Sequence, residues 1–214
     1  MNKILALICL SFCLTGQKGQ TISPEGDDEG GDYSITQPNF VYRGEYPQLQ
    51  HLNFENFVLH TFDEKNRHNI CGKLHGGFWK DEEKNHVGME SLTWDDEHPL
   101  STGNSSIQYV VVLFDYFGVG GSSESDGYAQ VWSLQDKKLI IVQQIQFNTH
   151  FTSDDWYFAF DKNRQLLTVR ASHYLPGDAH CCISAFDELT FRWQDGLFKL
   201  QKKVTKPTHP ASSQ

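Results

Sequence analysis

The chain contains 214 residues, with 18 Lys or Arg against 27 Asp or Glu, and its formal net charge at pH 7 is −9. Basic residues cluster only near the C-terminus, so the composition argues against a nucleic-acid partner, which needs a basic surface. The 15 Phe, eight Tyr and five Trp fall mainly in short apolar runs, a distribution that favours β-strands over helices.

The N-terminus has the pattern of a secretory signal peptide over residues 1–16. Lys3 precedes a mostly apolar run at 4–14, and small and polar residues follow. A membrane span needs about 20 apolar residues, so this run predicts export without a permanent transmembrane span. Neither Cys9 nor Cys13 follows a small residue, which argues against a lipid anchor. We therefore expect a periplasmic or extracellular protein.

Composition divides the rest of the chain into a leader, a domain and a tail. Residues 17–38 are polar and contain an acidic, glycine-rich run at 24–32, so they are predicted to be a disordered leader. Residues 202–214 contain two prolines and little apolar surface, and a disordered tail is predicted there. Between them, 39–201 has the size of one domain with one core, and we predict a single β-rich domain.

The first part of this domain gives only weak strand signals. Three segments, 54–62, 71–74 and 87–94, are rich in apolar residues but do not alternate strictly. No segment of the sequence has apolar residues at helical spacing together with helix-capping residues. At most a short helical turn is indicated, at 46–52. Little helix is therefore expected in the chain.

The strongest strand signal is the near-continuous apolar run at 107–117, which is typical of a strand buried on both faces. It ends at 118–123, a segment with the glycines of a phosphate-binding loop. That segment has no lysine after its glycines and leads toward another strand, so a hairpin loop is the better interpretation.

Paired strand signals follow this loop. The runs at 128–134 and 139–147 are separated by four polar residues, and the runs at 156–160 and 165–174 repeat the arrangement. Each pair predicts a β-hairpin, because turn-forming residues join two runs of β-branched and aromatic residues.

A last hairpin is predicted around Asp195 and Gly196. Leu189, Phe191 and Trp193 alternate with polar residues and should share one face of a strand. Asp followed by Gly suits a two-residue turn with positive φ, after which the chain returns. These eight to ten strands predict a mainly β fold with little helix, an antiparallel meander that is curled or packed as a two-layer sandwich or an open barrel.

Three cysteines remain after the predicted signal peptide: Cys71, Cys181 and Cys182. In an exported chain two of them are expected to pair. A bond from Cys71 to Cys181 or Cys182 is favoured, because it would close a loop of roughly 110 residues and stabilise the fold by about 4 kcal/mol or more. Adjacent strand residues point to opposite faces, so only one of the pair should face Cys71. A strained bond between Cys181 and Cys182 is the alternative.

The same segment allows a catalytic hypothesis, in which Cys181 or Cys182 is a nucleophile with His180 or His173 as base and Asp178 as orienting group. Adjacent residues in an extended segment seldom bring their working atoms together, and no oxyanion donor is evident. We therefore favour the structural role and assign no catalytic residue.

Metal binding is a further hypothesis for the polar residues. Six histidines are considered, His68, His75, His86, His98, His173 and His180. None pairs with another ligand at the short spacing of a zinc site, so surface positions are expected. Acids at 94–98 and 154–155 lack the alternation and the glycine of a calcium loop. We predict no metal and no cofactor.

Residues 177–182 read Gly-Asp-Ala-His-Cys-Cys, and Phe-Arg-Trp follows at 191–193. Together with the valine-rich strand at 110–113, these motifs resemble a group of bacterial secreted proteins that includes the LppP/LprE-like lipoproteins. The resemblance covers about 54–200 and implies an exported β domain with a cysteine-bearing turn, but no activity. The residues of that turn that match the group are Gly177, Asp178 and His180.

These observations favour an exported, non-enzymatic β domain that binds or supports another component of the cell envelope or the extracellular space. The expected partner is an envelope or extracellular protein or a glycan. The alternative is a hydrolase or redox enzyme that uses Cys181, Cys182 or a group of histidines.

Overall fold

A computed structural model describes residues 20–21, 33–62, 70–80, 91–101, 107–117, 124–150, 158–178 and 183–208. These residues form fourteen strands and two short 3-10 turns, Leu49–His51 and Phe54–Asn56. The strands are β1 Gln20–Thr21, β2 Tyr33–Gln37, β3 Phe40–Val41, β4 Val58–His60, β5 Cys71–Lys73, β6 Phe78–Lys80, β7 Ser91–Leu100, β8 Gln108–Phe117, β9 Glu124–Gln135, β10 Lys138–His150, β11 Phe158–Asp161, β12 Leu166–His173, β13 Ala185–Gln194 and β14 Leu197–Pro207.

The strands form three antiparallel sheets. An eight-stranded central sheet has the order β1-β2-β10-β9-β8-β7-β6, with β3 also paired to β10. A second sheet has the order β11-β12-β13-β14, and β4 and β5 form a separate hairpin. From β6 to β10 and again from β11 to β14, strands that are neighbours in sequence are neighbours in the sheet, so both parts are meanders.

Strand β8 explains why the central sheet is covered on both faces. Successive side chains of a strand point to opposite faces, and here both sets are apolar. Val110, Val112 and Phe114 belong to a first core, which is completed by the β4–β5 hairpin and the 3-10 turns. Val111 and Leu113 belong to a second core, which is completed by the four-stranded sheet. The central sheet is therefore the middle of three packed layers.

Two adjacent glutamines of β10 fasten the outer layers to the central sheet. The side-chain amide of Gln143 donates to the Phe198 carbonyl and accepts from the Phe198 N–H, at 2.9 and 2.8 Å. On the other face, Gln144 donates to the Phe62 carbonyl at 2.6 Å and accepts from the Phe62 N–H at 3.0 Å. Gln130 extends this second contact, because its amide donates to both Gln144 and the His60 carbonyl.

The predicted fold class is confirmed: the protein is mainly β, with packed antiparallel sheets rather than a closed barrel. The three predicted hairpins are present as β9–β10, β11–β12 and β13–β14. The last turn has the expected positive φ, 52° at Asp195 and 87° at Gly196. Leu189, Phe191 and Trp193 are all buried, as their alternation predicted.

Two boundaries were wrong. Residues 33–37 were assigned to the disordered leader, but they form β2, in which Ile35 lies opposite Ile145 and packs against the second core. Residues 202–207 were assigned to the disordered tail, but they continue β14 beside β13. Backbone pairing with β13 and polar contacts hold the strand here, because Lys203 and Thr205 both contact the buried Asp187.

The weaker predictions have mixed outcomes. The segment 71–74 contains β5, and the turn indicated at 46–52 is the 3-10 turn Leu49–His51. Within 54–62 only Val58–His60 is a strand, and Phe54–Asn56 is a 3-10 turn. The glycine-rich segment 118–123 lies outside the described residues.

Candidate functional site

A groove of about 500 Å³ lies on the first-core side of the central sheet, between the 3-10 turns and the ends of β7 and β8. Apolar residues form most of its walls, and two glutamines and one carboxylate interrupt them. The lining residues are Leu49, Gln50, Leu52, Phe54, Glu97, Pro99, Leu100, Ile107, Gln108, Tyr109 and Val110. Gln108 fixes one wall, since its side-chain oxygen accepts from the Leu49 N–H at 3.2 Å.

A β-bulge in β7 directs Glu97 to this side of the sheet. The register with β8 shifts between Trp94 and Asp96, so Asp95 is the additional residue. After the bulge, Glu97 and Pro99 lie opposite Val112 and Val110, two residues of the first core. Because side chains alternate along a strand, Asp96 and His98 then point to the other face.

Glu97 is a partly buried carboxylate. Its Oε2 is shielded from water and has no hydrogen-bond partner among the described residues. Burial raises the pKa of Glu97, and repulsion from Asp96 and Glu55 raises it further, while the nearby Trp94 indole partly opposes the shift. The indole nitrogen of Trp94, which lies near this carboxylate, is likewise shielded from water. The carboxylate can therefore accept a further hydrogen bond, and a positively charged donor would be favoured.

Sequence reasoning considered 94–98 as a source of calcium ligands and gave Glu97 no separate role. The structure spreads these acids over both faces of β7, so they do not converge on one point. Within the described ranges, no three His, Cys, Asp or Glu side chains are grouped to hold a metal ion. A signal for Glu97 was present nevertheless, because acidic residues at 95–97 interrupt a strand that pairs with the most apolar strand of the chain.

Gly177 and Asp178, two residues of the family-like turn, form a closed turn at the end of β12. The Asp178 carboxylate accepts from the backbone N–H groups of Leu175 and Ser184, both at 2.9 Å, and from the Ser184 hydroxyl. These hydrogen bonds lower the pKa of Asp178. Gly177 has a φ of 100°, which favours glycine at this position. Asp178 is thus a structural residue that closes the loop between β12 and β13.

His173 is oriented by Asp187 and not by Asp178, contrary to the catalytic hypothesis. Its Nδ1 lies 3.0 Å from an oxygen of Asp187, which is completely buried and also binds Thr205 and Lys203. Burial pushes the pKa of Asp187 up, but the hydrogen bonds from Thr205 and His173 and the charge of Lys203 outweigh it and lower the pKa. Sequence reasoning missed Asp187, because an acid followed directly by Glu188 looks like a surface residue.

The predicted cysteine cross-link remains a prediction. Cys71 lies on β5 with its Sγ 3.8 Å from Nε2 of His60. His60 is buried, and its ring lies 4.5 Å from that of Phe40 and 5.3 Å from that of Tyr42, so it packs as part of the first core. Cys181, Cys182 and His180 lie outside the described residues.

Comparisons with known proteins give no relative: no family model, no curated protein and no solved structure matches the chain. Among the described residues, no helix is long and apolar enough to cross a membrane. The groove that contains Glu97 is therefore characterised by its lining residues alone.

Proposed function

We propose that the protein is an exported, non-enzymatic binding domain and that its groove takes a protonated amine or guanidinium carried on an apolar body. The observation that carries this proposal is the shielded Oε2 of Glu97 in a groove with mainly apolar walls. A mostly apolar pocket with few polar groups is the usual form of a ligand site.

The charge of the ligand follows from the carboxylates. Burying an unpaired carboxylate is costly, and a cation that donates hydrogen bonds to it recovers part of this cost. Glu55 and Asp96 add negative potential at Glu97. An anionic ligand would meet repulsion from all three groups, whereas an ammonium or guanidinium would be attracted.

The apolar body of the ligand follows from the walls. Leu49 and Phe54 on the 3-10 turns, and Leu52 between these turns, line the groove together with Pro99 and Val110 on the strands. An alkyl or aryl group between them would remove apolar surface from water at about 25 cal/mol per Å². The same chemistry is offered by a small aliphatic amine and by a Lys or Arg side chain in an apolar segment of a partner protein.

The export part of the proposal rests on the N-terminal pattern at 1–16 and on the resemblance to secreted bacterial proteins. Both indicate that the protein is located in the cell envelope or outside the cell. An envelope or extracellular component is therefore the expected source of the cationic group.

The first prediction concerns binding of hexylammonium, with neutral hexanol as the matched probe. We expect hexylammonium to shift the amide resonances of the groove in an NMR titration, and Glu97→Gln to weaken its binding about tenfold or more, since a desolvated charge pair is lost. Hexanol should bind weakly to both proteins. Affinity for hexylammonium should fall as the pH is lowered through the raised pKa of Glu97, because the protonated acid no longer attracts a cation.

Glu45→Gln is the matched control, since Glu45 is exposed, forms an ion pair with Lys137 and is not among the residues that line the groove. This variant should bind hexylammonium like the wild type. Glu97→Gln should also be at least as stable as the wild type, because a partly buried charge with a raised pKa is removed. Equal binding of hexanol and hexylammonium, or an unchanged affinity in Glu97→Gln, would overturn the proposal. Tighter binding of a Leu-Lys-Leu peptide than of hexylammonium would identify a protein partner.

A further inference from the structure

The positive charge of the protein is concentrated in the four-stranded sheet. Residues 158–208 contain eight Lys or Arg and five Asp or Glu, a net charge of +3, although the whole chain has a net charge of −9. Most of these cations belong to β13 and β14, and β14 includes residues that the sequence assigned to a disordered tail. The structure therefore places this C-terminal cluster of basic residues on a sheet and not in a disordered tail.

The register of β13 shows which of these charges face outward. Asp187, Leu189 and Phe191 are fully buried toward the central sheet. Because side chains alternate, Thr190 and Arg192 point to the outer face of the four-stranded sheet. Arg192 is exposed, in agreement with this direction.

Three cations lie next to one another on this outer face. Arg192 pairs directly with Lys199 across the strands, and Lys202 lies opposite Thr190, the next outward residue of β13. Like charges in directly opposed positions destabilise a sheet. The nearest counter-charge is Asp195, an exposed turn residue 3.6 Å from Lys199. Arg192 and Lys202 have no ion pair with any described residue.

The charge excess continues along β14 to Lys206. Glu188 is the acid of this region, and it is shared by Lys206 at 2.7 Å and Arg170 at 4.0 Å. From Lys199 to Lys206 the outward lysines follow one edge strand over roughly 23 Å, at about 3.3 Å per residue. Lysines on an edge strand hinder edge-to-edge pairing, but that role does not account for Arg192, which lies on the inner strand β13.

We propose that this outer face binds a linear acidic glycan, with Arg192, Lys199 and Lys202 contacting its carboxylate or sulfate groups. A row of cations along a flat strand fits a linear polyanion of regularly spaced charges. The hydroxyls of Thr168 and Thr190, which are paired across the strands beside Lys202, can bond sugar hydroxyls.

A glycan fits this face better than a single-stranded nucleic acid does. Nucleic-acid strands without sequence preference are held by aromatic side chains on which their bases stack. Phe186 is the aromatic residue of β13 that points outward, and the guanidinium of Arg170 already lies 4.7 Å from its ring centroid. The face thus offers cations and hydroxyls and no open stacking surface among its described residues.

The test uses polygalacturonate as the probe and calorimetric titration of the full-length protein. The variant Arg192→Gln/Lys199→Gln/Lys202→Gln should bind about tenfold more weakly or worse, because three charge-assisted contacts are lost. The salt dependence of the remaining binding should become shallower by about two to three ion equivalents, by analogy with counterion release from other polyanions. The melting temperature should stay the same or rise, since an opposed pair of like charges is removed.

The matched control removes three exposed or turn lysines elsewhere, as Lys73→Gln/Lys137→Gln/Lys138→Gln. This variant lowers the net charge by the same three units as the first variant. Its affinity for polygalacturonate should fall by no more than about twofold, the effect expected of non-specific charge alone. Equal losses in both triple variants, or equal binding of neutral dextran, would overturn the inference. If a single-stranded oligonucleotide binds more tightly than polygalacturonate through the same three residues, the ligand of this face is a nucleic acid and the glycan proposal is wrong. Glu97→Gln should leave polygalacturonate binding unchanged, which separates this surface from the groove.

Discussion

Gln143 and Gln144 show how much of this fold depends on single polar side chains. They are neighbours in β10 and therefore point to opposite faces, where each bonds both the N–H and the carbonyl of one residue in a covering layer. A side-chain amide has the same donor and acceptor as a peptide group, so it can pair with a backbone as a strand does. Both glutamines are almost completely buried, so water cannot replace these bonds.

Replacing Gln143 with Leu should lower the free energy of unfolding by about 2–5 kcal/mol, because the Phe198 N–H and carbonyl would remain buried and unsatisfied. Gln201→Leu is the matched control: Gln201 is exposed on β14, and its replacement should change stability by less than about 0.5 kcal/mol. Urea unfolding measures both. A loss below about 0.5 kcal/mol in Gln143→Leu would show that the amide is not needed to attach the four-stranded sheet.

Sequence patterns identified the apolar residues of the cores better than the polar ones. Alternation placed Leu189, Phe191 and Trp193 on a buried face. Apolar burial is the dominant stabilising term, and in a strand it produces a regular alternation of apolar and polar residues in the sequence. No comparable sequence pattern indicated the roles of Asp187 and Glu97. Their burial depends on which residues lie opposite, and those partners come from other strands.

At the scale of elements, the turns were predictable because their chemistry is local. The Asp195-Gly196 turn adopts positive φ at both residues, as a two-residue hairpin requires. β2 and the end of β14 were missed because each becomes ordered only through distant contacts, to β10 in one case and to Asp187 in the other. The groove was missed for the same reason, since its walls belong to segments far apart in the chain.

Strand β9 contains a glycine, Gly127, whose missing side chain leaves space for an aromatic ring of the neighbouring strand β10. Gly127 lies opposite Phe147, and a Cβ built at Gly127 would come within 2.3 Å of the Phe147 ring. The ring is completely buried in the second core and has no room to withdraw. An aromatic side chain that covers a strand glycine compensates for the missing packing at that position.

Gly127→Ala should therefore destabilise the protein by about 1–3 kcal/mol, as overpacking of a core does, although alanine is intrinsically better than glycine in a strand. Phe147→Leu supplies the control. If the clash is the cause, the double variant will be less destabilised than the sum of the two single variants, by about 0.5 kcal/mol or more in thermal or urea unfolding. Additive losses would show that the two residues do not interact and that the clash is not the cause.

Over the whole molecule, two carboxylates respond to acid in opposite directions. The pKa of Glu97 is raised, so its protonation on acidification favours the folded state. The pKa of Asp187 is lowered, so its ionised form stabilises the folded state. The first group belongs to the proposed ligand groove, while the second joins three strands of the opposite layer. A binding site and a structural centre are thus distinguishable by the sign of their pH dependence.

The Asp187 centre also connects the two large sheets. Lys203, 3.3 Å from Asp187, lies 5.9 Å from the ring centroid of Tyr33 in the central sheet. A carboxyl with a lowered folded pKa contributes stability that is complete above its unfolded pKa of about 3.9 and is lost as the pH falls through the folded value. Asp187→Asn should lower the free energy of unfolding at pH 7 by about 3–5 kcal/mol, since a buried ion pair is broken.

The pH profile tests this role more sharply than the loss at pH 7. Below pH ~4 the wild type should lose stability steeply, whereas Asp187→Asn should decline less, because that contribution is already absent. Asp161→Asn is the control: its carboxylate caps an exposed turn through the Asn163 and Arg164 N–H groups, so it has little buried charge to protonate. If Asp187→Asn and the wild type declined in parallel between pH ~5 and ~2, another group would have to govern acid unfolding, and Asp187 would only fill space between the sheets.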